Sequence, residues 1–237
     1  MAPVTPYADP PEPDGVPWAL QVVVRVEKDP SPAHLAVLRS VASAVALALA
    51  DLTSEAAEPE ERARTERWRA GPIRKVVRRA RGAGWTRQLA VPGVRSHHGE
   101  VDVAVHVPGP VDDVHPEVGR LQVGGLSLEQ PDEGPRDPAG RAVLVVNPHV
   151  EMTTGKAAAQ VGHAAQLVLQ DLPAEAAGAW LATGAPVEVV LDPVGAWGED
   201  WDRLVARAPV VVADGGFTEV APGTVTVVAF PPGDAPG

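Results

Sequence analysis

The sequence contains no cysteine, which excludes disulfide scaffolds, thiolate zinc sites and a cysteine nucleophile. Aromatic residues are scarce at 4%, so any core must be built from Val, Ala and Leu. Long hydrophobic runs are missing as well. The longest, Val41 to Ala50, is far below the ~18 apolar residues of a membrane span. The stretch from Met1 to Pro17 has six prolines and neither Lys nor Arg, which is unlike a signal or transit peptide. These absences predict a cytoplasmic chain with no membrane partner. What is present is a 45% hydrophobic content, which rules out wholesale disorder, and 26 Pro with 23 Gly in 237 residues. The length suits one or two domains at roughly 100–200 residues each.

Charge is unevenly spread. The net charge of −11 argues against a polyanionic partner, yet residues 62–87 hold ten of the twenty basic residues against the single acid Glu66. Residues 141–237 hold four basic residues against eleven acids. Within the basic segment Ile73, Val76, Val77 and Ala80 recur at i, i+3, i+4 and i+7, which predicts a helical stripe with Arg74, Arg78 and Arg81 off it. Such a face is either simply solvated or a phosphate-docking surface for guanidinium groups.

Along the chain, residues 1–17 read as a disordered Pro-rich tail. An apolar strand (Leu20 to Val26), a helix (His34 to Leu52), an acidic loop (Ser54 to Glu61), the basic segment and strand-like stretches at 86–91 and 100–107 follow. Residues 130–140 have the composition of a linker. The second half, 141–237, reads as strand 142–146, helices 156–172 and 174–182, strand 186–191, helix 199–208, and strands 210–213 and 224–230. Alternating strands and helices predict an α/β protein, a small mixed sheet flanked by helices. The halves 18–129 and 141–237 resemble one another: Gly99-Glu-Val-Asp-Val-Ala-Val-His-Val-Pro-Gly-Pro110 reads like Gly223-Thr-Val-Thr-Val-Val-Ala-Phe-Pro-Pro-Gly-Asp234. A tandem duplication, with the two halves paired in the chain, is therefore expected.

Two segments carry candidate chemistry. Thr153-Thr-Gly-Lys156 opens a helix, and Lys156, Gln160 and His163 fall on one face at i, i+4 and i+7. A lysine in a first helical turn faces an already positive helix end. The face is either the polar side of an ordinary amphipathic helix or part of a site. It is not a P-loop, because Val150 stands at the first glycine position and Ala157 follows the lysine. The second segment, Asp214-Gly-Gly-Phe-Thr-Glu-Val-Ala-Pro-Gly-Thr224, follows a strand directly. It is either a glycine-rich turn capped by its Asp or a ligand loop at a strand's C-terminal end. His97, His98, His106 and His115 lack metal-ligand spacing, so no metal is expected.

Together, Val145-Val-Asn-Pro-His-Val-Glu-Met-Thr-Thr-Gly-Lys-Ala-Ala-Ala-Gln-Val-Gly-His-Ala-Ala165 and Asp214 to Thr224 resemble the two signatures of type-2 peptidyl-tRNA hydrolases. The likeness covers about residues 141–232, and the first half resembles a degenerate copy, with Val118 to Val123 similar to the family's closing strand. Asn147 and His149 stand where the family usually has Arg and Asp, and the sequence stops at Gly237, before the closing strand that the resemblance leads one to expect.

The resemblance implies a carboxylic ester hydrolase that cleaves the bond between peptide and tRNA in peptidyl-tRNA, recycling tRNA for translation without a cofactor. Lys156, Asp214 and Thr218 would be catalytic. Gln160, His163, Gly223 and Thr224 would bind substrate; the charge of the basic segment, not the resemblance, adds Arg74, Arg78 and Arg81 as the surface expected to dock the tRNA backbone. Lys156 would hold phosphate or an oxyanion, Asp214 would orient or deprotonate water, and Thr218 would bridge water and ester. The alternative is a catalytically inactive tRNA-binding or regulatory protein on the same fold. Rough alignment puts His34, Ala90 and Val94 at the catalytic positions of the first half, which predicts an inactive copy. The unfinished second sheet predicts an edge covered by residues 118–129 or by another chain in a homodimer.

Overall fold

A computed structural model describes residues 10–97, 100–131, 133, 136–215 and 219–236. β1 (Trp18–Arg25) is a run of Ala, Leu and Val with a single interior Gln, buried at almost every position, as befits a central strand. α1 (His34–Leu52) is Ala- and Leu-rich and buried around most of its circumference. α2 (Pro59–Arg69) starts with Pro at its first turn, has Glu60 and Glu61 there, and closes with Arg67 and Arg69 in its last turn, which complements the helix dipole. β2 (Lys75–Ala80), α3 (Gly82–Gln88), β3 (Gly93–Ser96), β4 (Val103–His106), β5 (Gly109–Pro110) and the single turn α4 (Pro116–Gly119) complete the first half.

The second half holds β6 (Ala142–Val146), α5 (Thr154–Asp171), α6 (Ala174–Ala182), β7 (Val187–Val190), α7 (Pro193–Trp197), α8 (Trp201–Arg207), β8 (Val210–Ala213) and β9 (Val225–Phe230). Its sheet has the order β7-β6-β9-β8, and the first sheet runs β2-β1-β4-β3 with β5 beside the start of β1. In each, the first two strands of the half are parallel and the remaining pairings are antiparallel. The protein is thus mixed α/β, with two mixed sheets flanked by helices.

The two sheets face each other across one helical layer. Leu20, Val22 and Val24 of β1, Leu144 and Val146 of β6, and the buried residues of α1 and α5 belong to one continuous core. The opposite face of the first sheet packs Val23 and Ala104 against Trp85 and Val118. The opposite face of the second packs Val143, Val145 and Val228 against Trp201 and Leu204. Small side chains let α1 and α5 approach. A Cβ on Gly162 would lie 3.4 Å from Val45 Cγ2 and 3.3 Å from Lys75 Cδ, so glycine permits this three-way contact between α5, α1 and β2.

The first turns of α1 and α5 also meet. Thr154 Oγ1 accepts from Leu128 N–H at 2.9 Å and lies 2.9 Å from His34 Nδ1. Glu129 O and Gln130 Oε1 accept from the N–H groups of His34 and Leu35, and Leu126 O accepts from Gly155 N–H. Both helix starts are therefore capped by one connecting segment. The buried guanidinium of Arg39 on α1 reaches Glu188 on β7 at 3.1 Å.

Several segments differ from expectation. Residues 75–80 form strand β2, not a helix, because pairing with β1 overrides a short apolar pattern that fits both periods. Residues 82–88 form helix α3, not a strand, burying Trp85 and Gln88 three apart on one face. Residues 118–129 do not cover the second sheet. Val118 ends up beneath the first sheet, Gln122 bridges to Arg79 on β2, and Leu126 to Glu129 serve the helix starts. In the first half the counterpart of β8 is β3, with Val94 inside it and Ala90 before it, so neither matches the position after β8 where Asp214 stands.

The segment read as a linker bonds both halves, through Glu133 to Arg39 and Arg136 N–H to Glu188. Of the Pro-rich stretch, residues 1–9 lie outside the described residues, while Glu12 pairs with Arg74 and Asp14 with Arg67. α1 is long and apolar enough by composition to cross a membrane, but it is buried as the central helix of this core.

Candidate active site

Strand β8 ends at Ala213, and Asp214 is the next residue, opposite the first turn of α5. Lys156 Nζ forms an ion pair with Asp214 Oδ2, with the two side chains 10% and 5% exposed. The carboxylate therefore offsets the cost of a cation at a helix N-terminus. Gln160, one turn on, donates to the same Oδ2 at 2.8 Å. Its Oε1 accepts from the buried Thr226 hydroxyl of β9 at 2.6 Å, which fixes the orientation of the amide. Lys156, Gln160 and Asp214 thus form one hydrogen-bonded unit held from the sheet side.

The α5 start has its own anion. The Thr153 hydroxyl accepts from Lys156 N–H at 3.2 Å, and Thr153 donates through N–H and Oγ1 to Glu219 at 2.9 and 2.8 Å. Glu219 thereby ties the loop after β8 to the helix it faces. Gly223 and Thr224 act through the backbone. Asp214 N–H donates to Thr224 O at 2.9 Å, and Gly223 N–H donates to Asp214 O at 2.8 Å. Gly223 adopts a φ of +79°, which favours glycine in closing the loop. Thr218 lies outside the described residues.

His163, two turns from Lys156, meets the first half. Its Nδ1 lies 3.4 Å from Nζ of Lys75 on β2. Lys75 also donates to Gln166 Oε1 at 2.6 Å and sits 5.0 Å from the Trp68 ring. A lysine ammonium only donates, so Nδ1 accepts and the imidazole proton resides on Nε2. Burial, then the charges of Lys75 and Lys156, hold the His163 pKa well below its ordinary value. The histidine is neutral.

These groups border a cavity of about 280 Å³ between the halves, lined by Lys156, Gln160, His163, Asp214, Glu219 and residues of β2. Of the three arginines expected to dock a polyanion, only Arg74 reaches this cavity. Its guanidinium is spent on Glu12 at 3.0 Å and Trp18 O at 2.8 Å. Arg78 donates to Gln21 Oε1, Gly119 O and Leu121 O, and burial lowers its pKa. Arg81 is exposed at the start of α3. An extended chain spreads the three out: Arg74 and Arg78 share a parity but stand about 13 Å apart, and Arg81, beyond β2, has the other.

Lys75, Gln166, Thr226 and Glu219 escaped sequence reasoning. Lys75 falls between Ile73 and Val77 at a spacing of two, the one signal that could have placed it on an inward strand face. Among the described residues no three His, Asp or Glu side chains gather as a metal site. No family model, curated protein or solved structure matches the chain.

Proposed function

We propose that the protein hydrolyses an acyl ester of tRNA, with peptidyl-tRNA as the substrate class, and acts in the cytoplasm to return tRNA to translation. The observation that carries the reading is the buried Lys156–Asp214 pair, oriented by Gln160 and opening onto a cavity. Water attacks the ester carbonyl carbon, the bond to the ribose oxygen breaks, and the water proton passes to that oxygen. Lys156 would offset charge on the carbonyl oxygen, and Asp214 would orient the water and accept its proton. Thr218 keeps the role of bridging water and ester that the resemblance gives it.

The reading extends to descent from a tandem duplication. Supporting it are the shared strand order and senses of the two sheets. A second support is a repeated detail. Trp68 of α2 donates its indole N–H to Arg74 O just before β2, and Trp180 of α6 donates to Pro186 O just before β7. A second reading, an inactive tRNA-binding or regulatory protein on the same fold, is favoured by the internal use of Arg74 and Arg78.

Purified protein and peptidyl-tRNA test the proposal. Release of peptide is expected, with Lys156→Ala and Asp214→Asn each slowing it by about 10²-fold or more. Wild-type turnover in both variants would remove the catalytic assignment. Tight tRNA binding without release would favour the second reading.

A further inference from the structure

The cavity beside Lys156 and Asp214 is not made by the second half alone. Its polar end carries Lys156, Asp214, Gln160 and His163. Arg74, Lys75, Thr153 and Glu219 also border it, and the rest of its lining is apolar, with Ile73, Val77 and Val123 from the first half and Ala159 and Leu167 from α5. Val77 is buried, while Val123 is 46% exposed, one of few large apolar side chains so exposed among the described residues. An apolar chamber with a few convergent polar groups at one end is the usual form of a small-ligand site.

The polar residents of this chamber leave few roles for the occupant. Lys75 is turned to Gln166, Ile73 O, His163 and Trp68, Arg74 to Glu12 and Trp18 O, and Glu219 to Thr153, so these charges serve the wall. His163 is neutral, with its Nδ1 occupied by Lys75. The apolar portion therefore favours an uncharged, hydrophobic group attached to whatever carbonyl reaches Lys156.

We propose that this cavity receives the apolar side chain of the acyl-linked amino acid, and that Ile73, Val77 and Val123 of the first half set its size. The inference rests on the hydrolase reading for the ester, but the chamber itself is a binding site with or without turnover. The first half then contributes specificity to the site: its β2 strand and the turn at Val123 supply the wall that a second half alone lacks. An acidic side chain such as aspartyl would lose its hydration there without a partner cation free to meet it.

The experiment compares N-acetyl-aminoacyl-tRNAs bearing leucyl, alanyl and aspartyl groups, with wild type and two cavity-filling variants. Val77→Phe fills the chamber from β2, and Val123→Trp fills it from the exposed rim, where folding is not at stake. Wild type is expected to favour leucyl over aspartyl by at least tenfold in kcat/KM. Each variant is expected to lower the leucyl-to-alanyl ratio by about tenfold, the scale of a pocket that loses room for a few methylene groups.

A second arm titrates amide-linked leucyl and aspartyl adenosine analogues, which cannot be hydrolysed as esters, into the same three proteins. Hydrolysis that ignores the acyl side chain in all three proteins overturns the cavity inference and leaves the hydrolase reading standing. Selective leucyl-analogue binding that the variants abolish, with no hydrolysis of any ester, keeps the cavity and removes the hydrolase. Neither binding nor hydrolysis overturns both.

Discussion

The two halves share one strand order but spend their polar residues differently. In the second half, Lys156, Gln160 and Asp214 converge where a strand end meets a helix start. In the first half, His34 opens the equivalent helix and is bonded to Thr154. Buried Arg39 is paired to Glu188 of the other sheet, and His106 is held by Pro92 O and Gln88. One half keeps a polar cluster facing a cavity; the other uses its polar groups to hold the two together. The same strand order can therefore carry a polar cluster in one half and contacts between the halves in the other.

The largest expected effect comes from separating the halves. Residues 141–237 alone would expose the α5 face that packs on α1 and β2. No cooperative thermal transition is expected by circular dichroism, and co-expression with residues 1–140 should restore one. A cooperatively melting, monomeric 141–237 fragment would break the view of one shared core.

Next in size is Arg39. Replacing it by Met strands Glu188, whose side chain is 1% exposed, without its buried partner. A loss of about 3–5 kcal/mol is expected in urea unfolding, with Arg39→Met/Glu188→Met recovering most of it. If the double variant is no better than the single, the ion pair is not the coupling between sheets that the geometry suggests.

The histidines give a pH test that distinguishes the halves. His34, His106 and His163 are all held below the ordinary value near 6.5, chiefly by burial. Their folded pKa values are lowered, so the unfolded chain binds more protons as pH falls. Stability should be full above about pH 6.5 and decline below it. His163 has the deepest shift, so His163→Gln should flatten this decline more than His106→Asn. The reverse order, read from denaturant midpoints between pH 7.5 and 5, would contradict the enclosed position of His163.

The smallest expected difference separates two arginines that sequence periodicity had grouped. Arg78→Gln breaks bonds to Gln21, Gly119 O and Leu121 O and should cost about 1–2 kcal/mol. Arg81→Gln, at an exposed position, should stay within about 0.5 kcal/mol. For tRNA binding, only exposed arginines should alter the dependence of log affinity on log salt, by roughly 0.7–0.9 per phosphate contact. A changed salt slope in Arg78→Gln would show that its internal bonds yield to a nucleic acid.

Much of the fold was legible in the sequence because its strands are short runs of Val bounded by Gly and Pro, and α1 and α5 are long and Ala-rich. The helix starting with Thr153 and bearing Lys156, Gln160 and His163 on one face was legible too, since i, i+4 and i+7 spacing is local. Residues 73–80 and 86–91 were misread because runs of six to eight residues satisfy both periods, and the partner strand decides. Lys75 at the site, Glu219 on the helix start and Thr226 behind Gln160 come from elements far apart in the chain, with no local pattern joining them.

The sequence by itself determined the elements with strong local periodicity, the alternation of strands and helices, and the two motifs that supply Lys156 and Asp214. Only the tertiary structure decided that those two side chains pair, and that β2 of one half walls the cavity of the other. It also decided that Arg74 and Arg78 of the basic segment turn to internal partners while Arg81 stays exposed. The reason is physical: secondary structure follows from neighbours within a turn or a pleat, whereas burial and pairing follow from which faces meet. Here those faces meet because α1 and α5, both rich in alanine, can pack closely between two sheets.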